Sequence, residues 1–591
     1  MAATVPCVLR SDGVENVLIV TSAPPTLHRT RRFGLVDLAI VVALAGLLFG
    51  VLQLGREWSG ASRPAIVIDL SPWALPRYTF YSLSRGLLAY VLSLAFTLTY
   101  GYWAAKDRIA ERVLVPLLDI LQSIPVLGFM PGLILALVAL FPHNNIGLEL
   151  AAVIMIFTGQ AWNMTFSYYH SLRSVPDDLR EVGAVYRFSW WQRLKWLELP
   201  YATLGLVWNS MLSMAGGWFF LMINEAFRLG DRDFRLPGIG SYMSVAVDQG
   251  RTDAMLYAIG AMTLMIVAVD QVLWRPVVVW AQKFRVEEGG TQEKMSSWFL
   301  NWLRRSRLLA VLRRLGRRVR TRLARPRAIR PGPTTQPVAA RQPAAWLGVI
   351  LLAVLLAALA FGAWKLTHVL RRVPAVEWGT LGGAAAWTLG RVLLATALGT
   401  LWALPAGIAI GLSPRLSRLL QPVVQIVASF PAPMLFPIII AGLAAAGVSL
   451  GWGSIVLMLL GTQWYILFNV IAGAMAIPTD LQEAARSYRL QGWRRFRALY
   501  LPGVFPNLVT GWVTAAGGAW NASIVAEFVT FKGRTLQAHG LGAQISAAAA
   551  AADFPRLAAS ILVMSAIVVA FNRTVWRQCY RVAEQRFSLN R

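Results

Sequence analysis

The sequence contains one long segment twice. Residues 181–200 read EVGAVYRFSWWQRLKWLELP, and residues 483–502 read EAARSYRLQGWRRFRALYLP. The matched pairs are Glu181/Glu483, Tyr186/Tyr488, Arg187/Arg489, Trp191/Trp493, Leu199/Leu501 and Pro200/Pro502. From the closing proline to the next matched glutamate is 25 residues in both copies. A repeat on this scale indicates two copies of a domain-sized unit.

The surroundings of both segments are very apolar. The chain has 591 residues, of which 57% are hydrophobic and only 14% are charged, whereas soluble proteins carry roughly 25% charged residues. Long apolar runs with short polar breaks indicate a polytopic α-helical membrane protein. The net charge of +28 is then expected mainly in cytoplasmic loops, and it gives little support for nucleic-acid binding. Cys7 and Cys579 form no disulfide framework or metal-binding pattern.

The apolar runs predict six spans in each half of the chain, about twelve in all. In the first half they lie at about 34–54, 82–104, 114–141, 148–168, 203–224 and 255–281. In the second half they lie at about 346–366, 387–411, 419–446, 452–474, 506–526 and 556–574. Lys and Arg concentrate in alternate loops, so both repeated segments, both tails and the central linker are expected in the cytoplasm. The predicted fold class is an all-α polytopic membrane protein.

These spans divide the chain into five segments. We predict a cytoplasmic tail at 1–32, a first unit at 33–281, a linker at 282–342, a second unit at 343–575 and a tail at 576–591. Residues 304–330 of the linker carry twelve arginines with interleaved leucines, a pattern typical of an amphipathic helix on anionic lipid. A membrane scaffold or nucleic-acid tether built on the linker is an alternative. Transport retained after deletion of residues 304–330 would exclude that role.

The repeated segments resemble the EAA loop of ABC importer permeases. That pattern is Glu-Ala-Ala, a Gly four residues later, and an ending of an apolar residue, any residue, Leu and Pro. The second copy matches at Glu483-Ala484-Ala485, the first copy only at Glu181, and both endings match. The Gly position holds Arg187 and Arg489. The resemblance assigns contact with an ATPase to Glu181, Gly183, Arg187, Leu199, Pro200, Glu483, Ala484, Ala485, Arg489, Leu501 and Pro502.

Other segments are similar to the nitrate/sulfonate/taurine-type (bicarbonate-type) branch of these permeases. An offset of 306 aligns Pro116, Pro125 and Pro131 of the third span with Pro422, Pro431 and Pro437, and aligns Arg85 with Arg391. After the fifth spans, LPGIGSYM and HGLGAQIS resemble the outer Gly-Leu-Gly segment of that branch. The resemblance covers roughly residues 80–281 and 385–574.

The resemblance implies two tandem six-span type I importer units in one chain, which form an alternating-access path. Two ATPase subunits would bind below, and a substrate-binding protein would dock outside. The sequence contains no G-x-x-x-x-G-K-[ST] phosphate loop. We therefore expect no catalytic residue, cofactor or metal on this chain, and ATP with Mg²⁺ on the partner subunits. A small anion such as nitrate, a sulfonate or bicarbonate is the expected solute, and the bacterial inner (cytoplasmic) membrane the expected location.

Polar groups at membrane depth are candidates for the path. The candidates are Gln160, Asn163, Gln463, Asp119, Glu225 and Glu527, together with the helix-breaking Pro125 and Pro431. Hydrogen bonding between helices is the alternative role for the amides and for the aspartate. An interfacial or helix-pairing role is the alternative for the two glutamates.

Two other transport classes remain open. An ABC exporter is disfavoured by the EAA-like loops and the outer Gly-Leu-Gly segments. An ion-coupled secondary transporter normally needs ionisable residues in mid-span, and these spans contain few. Copurification with an ATPase would separate the importer from the secondary transporter.

Overall fold

The computed structural model describes residues 35–60, 67–229, 232–284, 296–306, 308–311, 314–315, 345–531 and 534–587. The predicted tail at 1–32, most of the linker at 282–342 and the last four residues lie outside this part of the chain.

The first half is built from helices joined by short loops. They are α1 (Leu35–Ser59), α2 (Leu75–Lys106), α3 (Arg108–Ser123), α4 (Val126–Leu140), α5 (Ile146–Arg173), α6 (Asp177–Val185), α7 (Trp190–Arg193) and α8 (Leu199–Glu225). The hairpin of β1 (Arg228–Leu229) and β2 (Arg232–Asp233) follows, and then α9 (Ile239–Asp248), α10 (Thr252–Val269) and α11 (Arg275–Ala281). The linker contributes α12 (Trp298–Arg304).

The second half repeats this order. Its helices are α13 (Ala345–Leu370), α14 (Ala375–Leu412), α15 (Pro414–Ser429), α16 (Phe436–Ala445), α17 (Leu450–Met475), α18 (Thr479–Ser487), α19 (Gly492–Arg495) and α20 (Leu501–Ala526). The hairpin of β3 (Phe528–Phe531) and β4 (Arg534–Gln537) precedes α21 (Leu541–Ala550), α22 (Phe554–Phe571) and α23 (Arg577–Phe587).

Within the described residues, nine helices are long and apolar enough to cross a membrane, or up to eleven if each bent pair is one span. The prediction of about twelve spans agrees with this range except at 506–526. This segment lies in α20, which is not among those helices. Asn507, Thr510, Thr514 and Asn521 make α20 more polar than a typical span. Its repeat counterpart α8 does belong to an apolar span.

The predicted third span of each half is not one helix. The first divides between α3 and α4 around Pro125, and the second divides between α15 and α16 around Pro431. Each pair bends by more than 40°. The prolines act here because each sits on an extended backbone at the start of the second helix and has no N–H to continue the first. The predicted break at these prolines is confirmed.

The repeat also extends to irregular turns. A π-helical turn occupies Leu194–Glu198 in the first half and Phe496–Tyr500 in the second. Pro200 and Pro502 follow closely, and a proline ring clashes with the carbonyl four residues earlier, so a widened turn relieves the clash. The Leu-Pro endings therefore form the entry into α8 and α20.

The described chain groups into two compact units. The larger one, within Leu48–Phe299 and Pro331–Arg591, holds the long helices that follow α1 in both halves. The smaller one lies within Met1–Leu47 and Leu300–Arg330. There, the buried carboxylate of Asp37 accepts hydrogen bonds from Ser306 Oγ at 2.7 Å and from the Leu308 N–H at 3.1 Å. The start of α1 is thus tied to the linker.

Candidate translocation path and coupling surface

A cavity of about 230 Å³ lies between the two halves, where the breaks in both third spans meet. Its polar lining residues are Gln122, Thr158, Asn163, Gln425, Ser429, Thr462, Thr514, Asn521 and Asn572. Its aromatic lining residues are Trp162, Phe219, Phe220, Phe430, Trp464, Tyr465, Phe468 and Trp520. Among the described residues that line it, none has a charged side chain. The cavity can therefore hold a solute by hydrogen bonds and aromatic contact, with no counter-ion.

The two matched tryptophans of this cavity differ. The indole N–H of Trp464 donates to the Leu460 carbonyl at 3.0 Å. The indole nitrogen of Trp162 is buried and has no hydrogen-bond partner in the part of the chain that the structure describes. A buried donor without a partner is costly, so Trp162 carries an unused hydrogen-bond donor in a residue that lines the cavity.

A hydrogen bond joins the halves at the first break. The N–H of Val126, the first residue of α4, donates to the side-chain oxygen of Asn521 on α20 at 2.8 Å. Both residues line the cavity. A free N–H at a helix start needs an outside acceptor, and here the opposite half supplies it.

The predicted path residues are distributed unevenly around the cavity. Asn163 and Pro431 line it. Gln160 is buried on another face of α5, within 3.4 Å of the Ser93 hydroxyl. Gln463 accepts a hydrogen bond from Trp402 Nε1 at 2.9 Å and does not line the cavity.

Asp119 and Pro125 lie close to the cavity without lining it. Asp119 accepts a hydrogen bond from the amide of Gln122 at 2.9 Å, and Gln122 lines the cavity. Pro125 precedes Val126, which also lines it. Each is thus adjacent to a residue that lines the cavity.

Glu225 lies in a fully buried ionic cluster away from the cavity. The guanidinium of Arg85 on α2 binds Glu225 at 2.7 Å and binds Glu149 on α5 through two contacts of 2.6 Å. All three side chains are inaccessible to solvent. Glu225 also accepts hydrogen bonds from Ser82 Oγ and from the Gly240 N–H. Glu225 thus fastens the start of α9 onto α2.

The second half contains an equivalent but smaller cluster. Arg391 binds Glu527 at 2.8 Å, and Thr388 takes the place of Ser82. The position of Glu149 is occupied by Gly451, whose backbone carbonyl accepts from Arg391 Nε at 3.0 Å. One guanidinium therefore faces two carboxylates in the first half and one in the second.

Glycines allow the segments that begin α9 and α21 to approach these clusters. A Cβ on Gly238 would overlap the Glu225 carboxylate, and a Cβ on Gly540 would overlap the Glu527 carboxylate. The segments resembling Gly-Leu-Gly are thus positions of close backbone approach.

A wide groove of about 650 Å³ opens along the carboxyl-terminal end of α5. It is lined by Asn163, Phe166, Ser167, His170, Ser171, Arg173, Ser174 and Asn209. Asn163 also lines the central cavity. The cavity and the groove therefore share this lining side chain.

The repeated segments form matched short helices. In the first, the Arg187 N–H donates to the Ala184 carbonyl at 3.0 Å and the Phe188 N–H donates to the Gly183 carbonyl at 2.9 Å. The second copy makes the same bonds at Arg489 and Leu490. This is a Schellman ending, which places the residue after the helix in the left-handed region.

That geometry explains the glycine of the family pattern. Arg187 has a φ of 50° and Arg489 has a φ of 52°. Glycine adopts this conformation freely, and here an arginine is held in it twice. Gly183 and Ala485 are the buried members of these helices.

The remaining surface of both segments is exposed and mixes charge with large apolar groups. Glu181, Glu483 and Ala484 are exposed. The exposed apolar residues are Val182, Val185, Tyr186, Trp190, Trp191, Trp196, Leu481, Tyr488 and Trp493. Apolar patches rimmed by polar groups mark protein-binding surfaces. We call these two surfaces the coupling surfaces.

Sequence reasoning missed two buried acids. Glu149, the partner of Arg85, was hidden because it opens a predicted span. Glu198 is buried beside α8 and is bound by Lys106 Nζ at 2.6 Å. The equivalent position of the second half holds Tyr500, so comparison of the two repeats did not identify Glu198 as a candidate.

The loops after α8 carry an ordered charge pair and an anchored tyrosine. Burial raises the pKa of Asp233, but hydrogen bonds from Arg235, one at 2.8 Å, outweigh it and lower the pKa below the usual value. Burial raises the pKa of the Tyr242 hydroxyl, which donates to the Leu70 carbonyl at 2.9 Å. These contacts hold Asp233 against Arg235, and Tyr242 against the segment before α2.

Comparison with known proteins agrees with these features. A family model described as the binding-protein-dependent transport system inner membrane component matches residues 97–273 and 395–576. A nitrate import permease of Leptolyngbya laminosa is 30% identical over 148 residues, 24% of this chain and 52% of that protein. A bicarbonate transport permease of Synechocystis is 28% identical over 167 residues, 28% of this chain and 58% of that protein. A glycine betaine transport permease of Bacillus subtilis is 23% identical over 239 residues, 39% of this chain and 78% of that protein.

The first two alignments span about half the length of those relatives. The family model matches twice, over more than half of this chain, and the matched ranges contain the cavity, the groove and both coupling surfaces. Components of this kind are non-catalytic membrane subunits. The chain is therefore a multi-pass membrane protein that belongs to the family of inner membrane components of binding-protein-dependent ABC importers, with two family domains in tandem.

Proposed function

We propose that this chain supplies both halves of the transmembrane path of an ABC importer for a small, acceptor-bearing solute, with an anion as the leading candidate. The observation that carries the proposal is the cavity at the meeting point of two broken spans. Discontinuous helices near mid-membrane are a common way to build a transport site. At about 230 Å³, the cavity is below the range of about 300–1,000 Å³ for drug-sized ligands.

The solute class is supported by the donors in the cavity. Trp162 offers an unused indole N–H, and Gln122 and Asn163 carry amides. Such groups can bind the oxygens of nitrate, bicarbonate or a sulfonate by hydrogen bonds. The names of the relatives include nitrate, bicarbonate and glycine betaine, so both anions and a zwitterion belong in the screen.

ATP-driven coupling is assigned to the coupling surfaces. Each is a short exposed helix with an acidic residue, Glu181 or Glu483, and a cluster of exposed aromatic residues. Two matched surfaces suit two copies of one ATPase subunit related by a two-fold axis. ATP and Mg²⁺ would bind on those subunits, and a substrate-binding protein would deliver the solute from outside.

The orientation follows from charge. Both coupling surfaces are basic, so the positive-inside rule places them, together with both termini, in the cytoplasm of a bacterium. The loops after α8 and α20 would then face outside. Tagging either terminus and measuring its protection from added protease in sealed vesicles would test this orientation.

Purification in mild detergent with mass determination tests the assembly. One copy of this chain with two copies of an ATPase subunit is the expected complex. A chain that purifies alone, and that takes up solute in response to an ion gradient without ATP, would instead establish the ion-coupled secondary transporter.

Uptake into vesicles then tests the solute. The complex is reconstituted with its binding protein in sealed vesicles that contain ATP. Nitrate, bicarbonate, taurine or glycine betaine is then supplied, and an ionophore is the control for uptake driven by an ion gradient. ATP-dependent uptake of an anion supports the leading candidate. Uptake of glycine betaine alone would replace the anion with a zwitterion.

A further inference from the structure

We infer that the solute leaves the central cavity along the first half alone, through the groove on α5, whose cationic and hydrogen-bonding wall selects for an anion. This inference rests on the proposed importer function and names the side of the path that the solute contacts. The second half would supply an uncharged wall at this level.

The continuity of the path is the first support. Asn163 lines the cavity and the groove. Toward the end of α5, Ser167, His170 and Ser174 follow at spacings of four, three and four residues, which place them on one face of a helix. A solute that leaves the cavity past Asn163 therefore meets a row of polar side chains.

The asymmetry of the repeat is the second support. The groove residues and their counterparts, 302 positions later, are Ser167 and Asn469, His170 and Ala472, and Arg173 and Met475. Both basic side chains of the groove are thus replaced by apolar residues in the second half. The equivalent end of α17 offers no charge to a passing ion.

The chemistry of the groove is the third support. Among its described lining residues, His170 and Arg173 are basic and none is acidic. The guanidinium of Arg173 lies 3.5 Å from Glu111 but remains about half exposed. The His170 ring is stacked on Phe166, with the ring centres 6.3 Å apart. A fixed ring and an exposed guanidinium can both donate to an anion.

The charge distribution gives the groove a role in release. The central cavity has no charged lining residue among those described, so it provides no strong trap for an ion. The guanidinium of Arg173 in the groove attracts an anion and so favours its movement out of the cavity. Because the groove is exposed to water, the anion can then dissociate.

Matched cysteine variants test the inference. Cys7 and Cys579 are first replaced by Ser. His170→Cys is then compared with Ala472→Cys, because both native residues are exposed and occupy the same position of the repeat. A sulfonate-bearing methanethiosulfonate is applied from the cytoplasmic side, and uptake of the four solutes of the panel is measured along with the ATPase activity of the complex.

We expect modification to reduce uptake in only one of the two cysteine variants. Modification of His170→Cys should reduce uptake about tenfold or more, as expected when a favourable contact to a charged group is replaced by repulsion. Modified Ala472→Cys should retain uptake. Nitrate should slow the labelling of His170→Cys and leave the labelling rate of Ala472→Cys unchanged.

Three results would overturn the inference: equal loss of uptake in both variants, labelled His170→Cys with full uptake, or labelling of His170→Cys that nitrate does not slow. The labelling rates need no transport, so they test the groove even in a complex that imports none of the panel. Failure of the importer proposal is seen separately, as absence of the ATPase partner.

Discussion

Arg187 and Arg489 share the same left-handed backbone conformation at equivalent positions of the two coupling surfaces. For an L-residue with a side chain this conformation costs about 1–2 kcal/mol. We expect the double variant Arg187→Gly, Arg489→Gly to unfold at a higher temperature than the double Ala variant, because both lose the guanidinium and only Gly loses the strain. Thermal unfolding of the purified complex measures the difference.

The same pair of variants separates backbone from charge. If the guanidinium groups contact the ATPase, both double variants should lose ATPase binding to the same extent. Binding retained by Gly and lost by Ala would show that the turn alone matters. If the double Ala variant is as stable as the double Gly variant, the left-handed backbone at positions 187 and 489 is not strained.

The acidic residues of the coupling surfaces give a graded prediction. Charge reversal at both sites, Glu181→Lys with Glu483→Lys, should abolish copurification of the ATPase, and the double Gln variant should weaken it less. Both glutamates are exposed, so membrane insertion should be unaffected. Normal assembly and transport in the double Lys variant would show that the two glutamates do not contact the ATPase.

The buried clusters should respond unequally to loss of their arginines. Removing one partner of a buried ion pair costs about 3–5 kcal/mol. Arg85→Met leaves two buried carboxylates, Glu149 and Glu225, whereas Arg391→Met leaves only Glu527. We expect a larger fall in unfolding temperature for Arg85→Met.

A rescue variant controls that comparison. Adding Glu149→Gln to Arg85→Met should recover part of the loss, since one stranded charge disappears. Equal losses for the two arginine variants, or no recovery by Glu149→Gln, would show that the second carboxylate does not determine the difference.

The outer glycines should not tolerate a methyl group. Gly238→Ala and Gly540→Ala force a Cβ into a buried glutamate, and overpacking costs about 1–3 kcal/mol. Gly382→Ala on α14 is the matched control, because a Cβ there meets nothing within 4 Å. We expect protease resistance of the folded complex to fall in the first two variants only, and sensitivity of all three would point to a general loss of helix packing.

Much of the architecture could be predicted because the repeat and the prolines act locally. The prolines of the third spans indicate a break in each helix, and the breaks fall at Pro125 and Pro431. Which proline makes the break could not be read from the sequence, because Pro116 and Pro422 lie inside continuous helices. The coupling surfaces were found because polar residues stand out in apolar surroundings. The left-handed turn had a readable signal too, since the family pattern has a glycine where this chain has Arg187.

The partners of the charged residues could not be predicted in the same way. Arg85 and Glu225 are 140 residues apart in sequence, and their contact exists only after α2 and α8 have packed. Composition placed Glu225 at the outer end of a span but could not show that it is buried against Arg85. Its candidacy for the path stays a prediction, although the structure places it in the cluster.

The pair Glu149 and Gly451 has a consequence for how such a chain can change. In a transporter made of two identical subunits, any substitution enters both sides of the path at once. Here each substitution enters one side, so a change that both sides could not accept together becomes accessible. The single polypeptide can therefore have different roles in its two halves: one half can add a second carboxylate to its buried cluster while the other keeps a backbone carbonyl at that position.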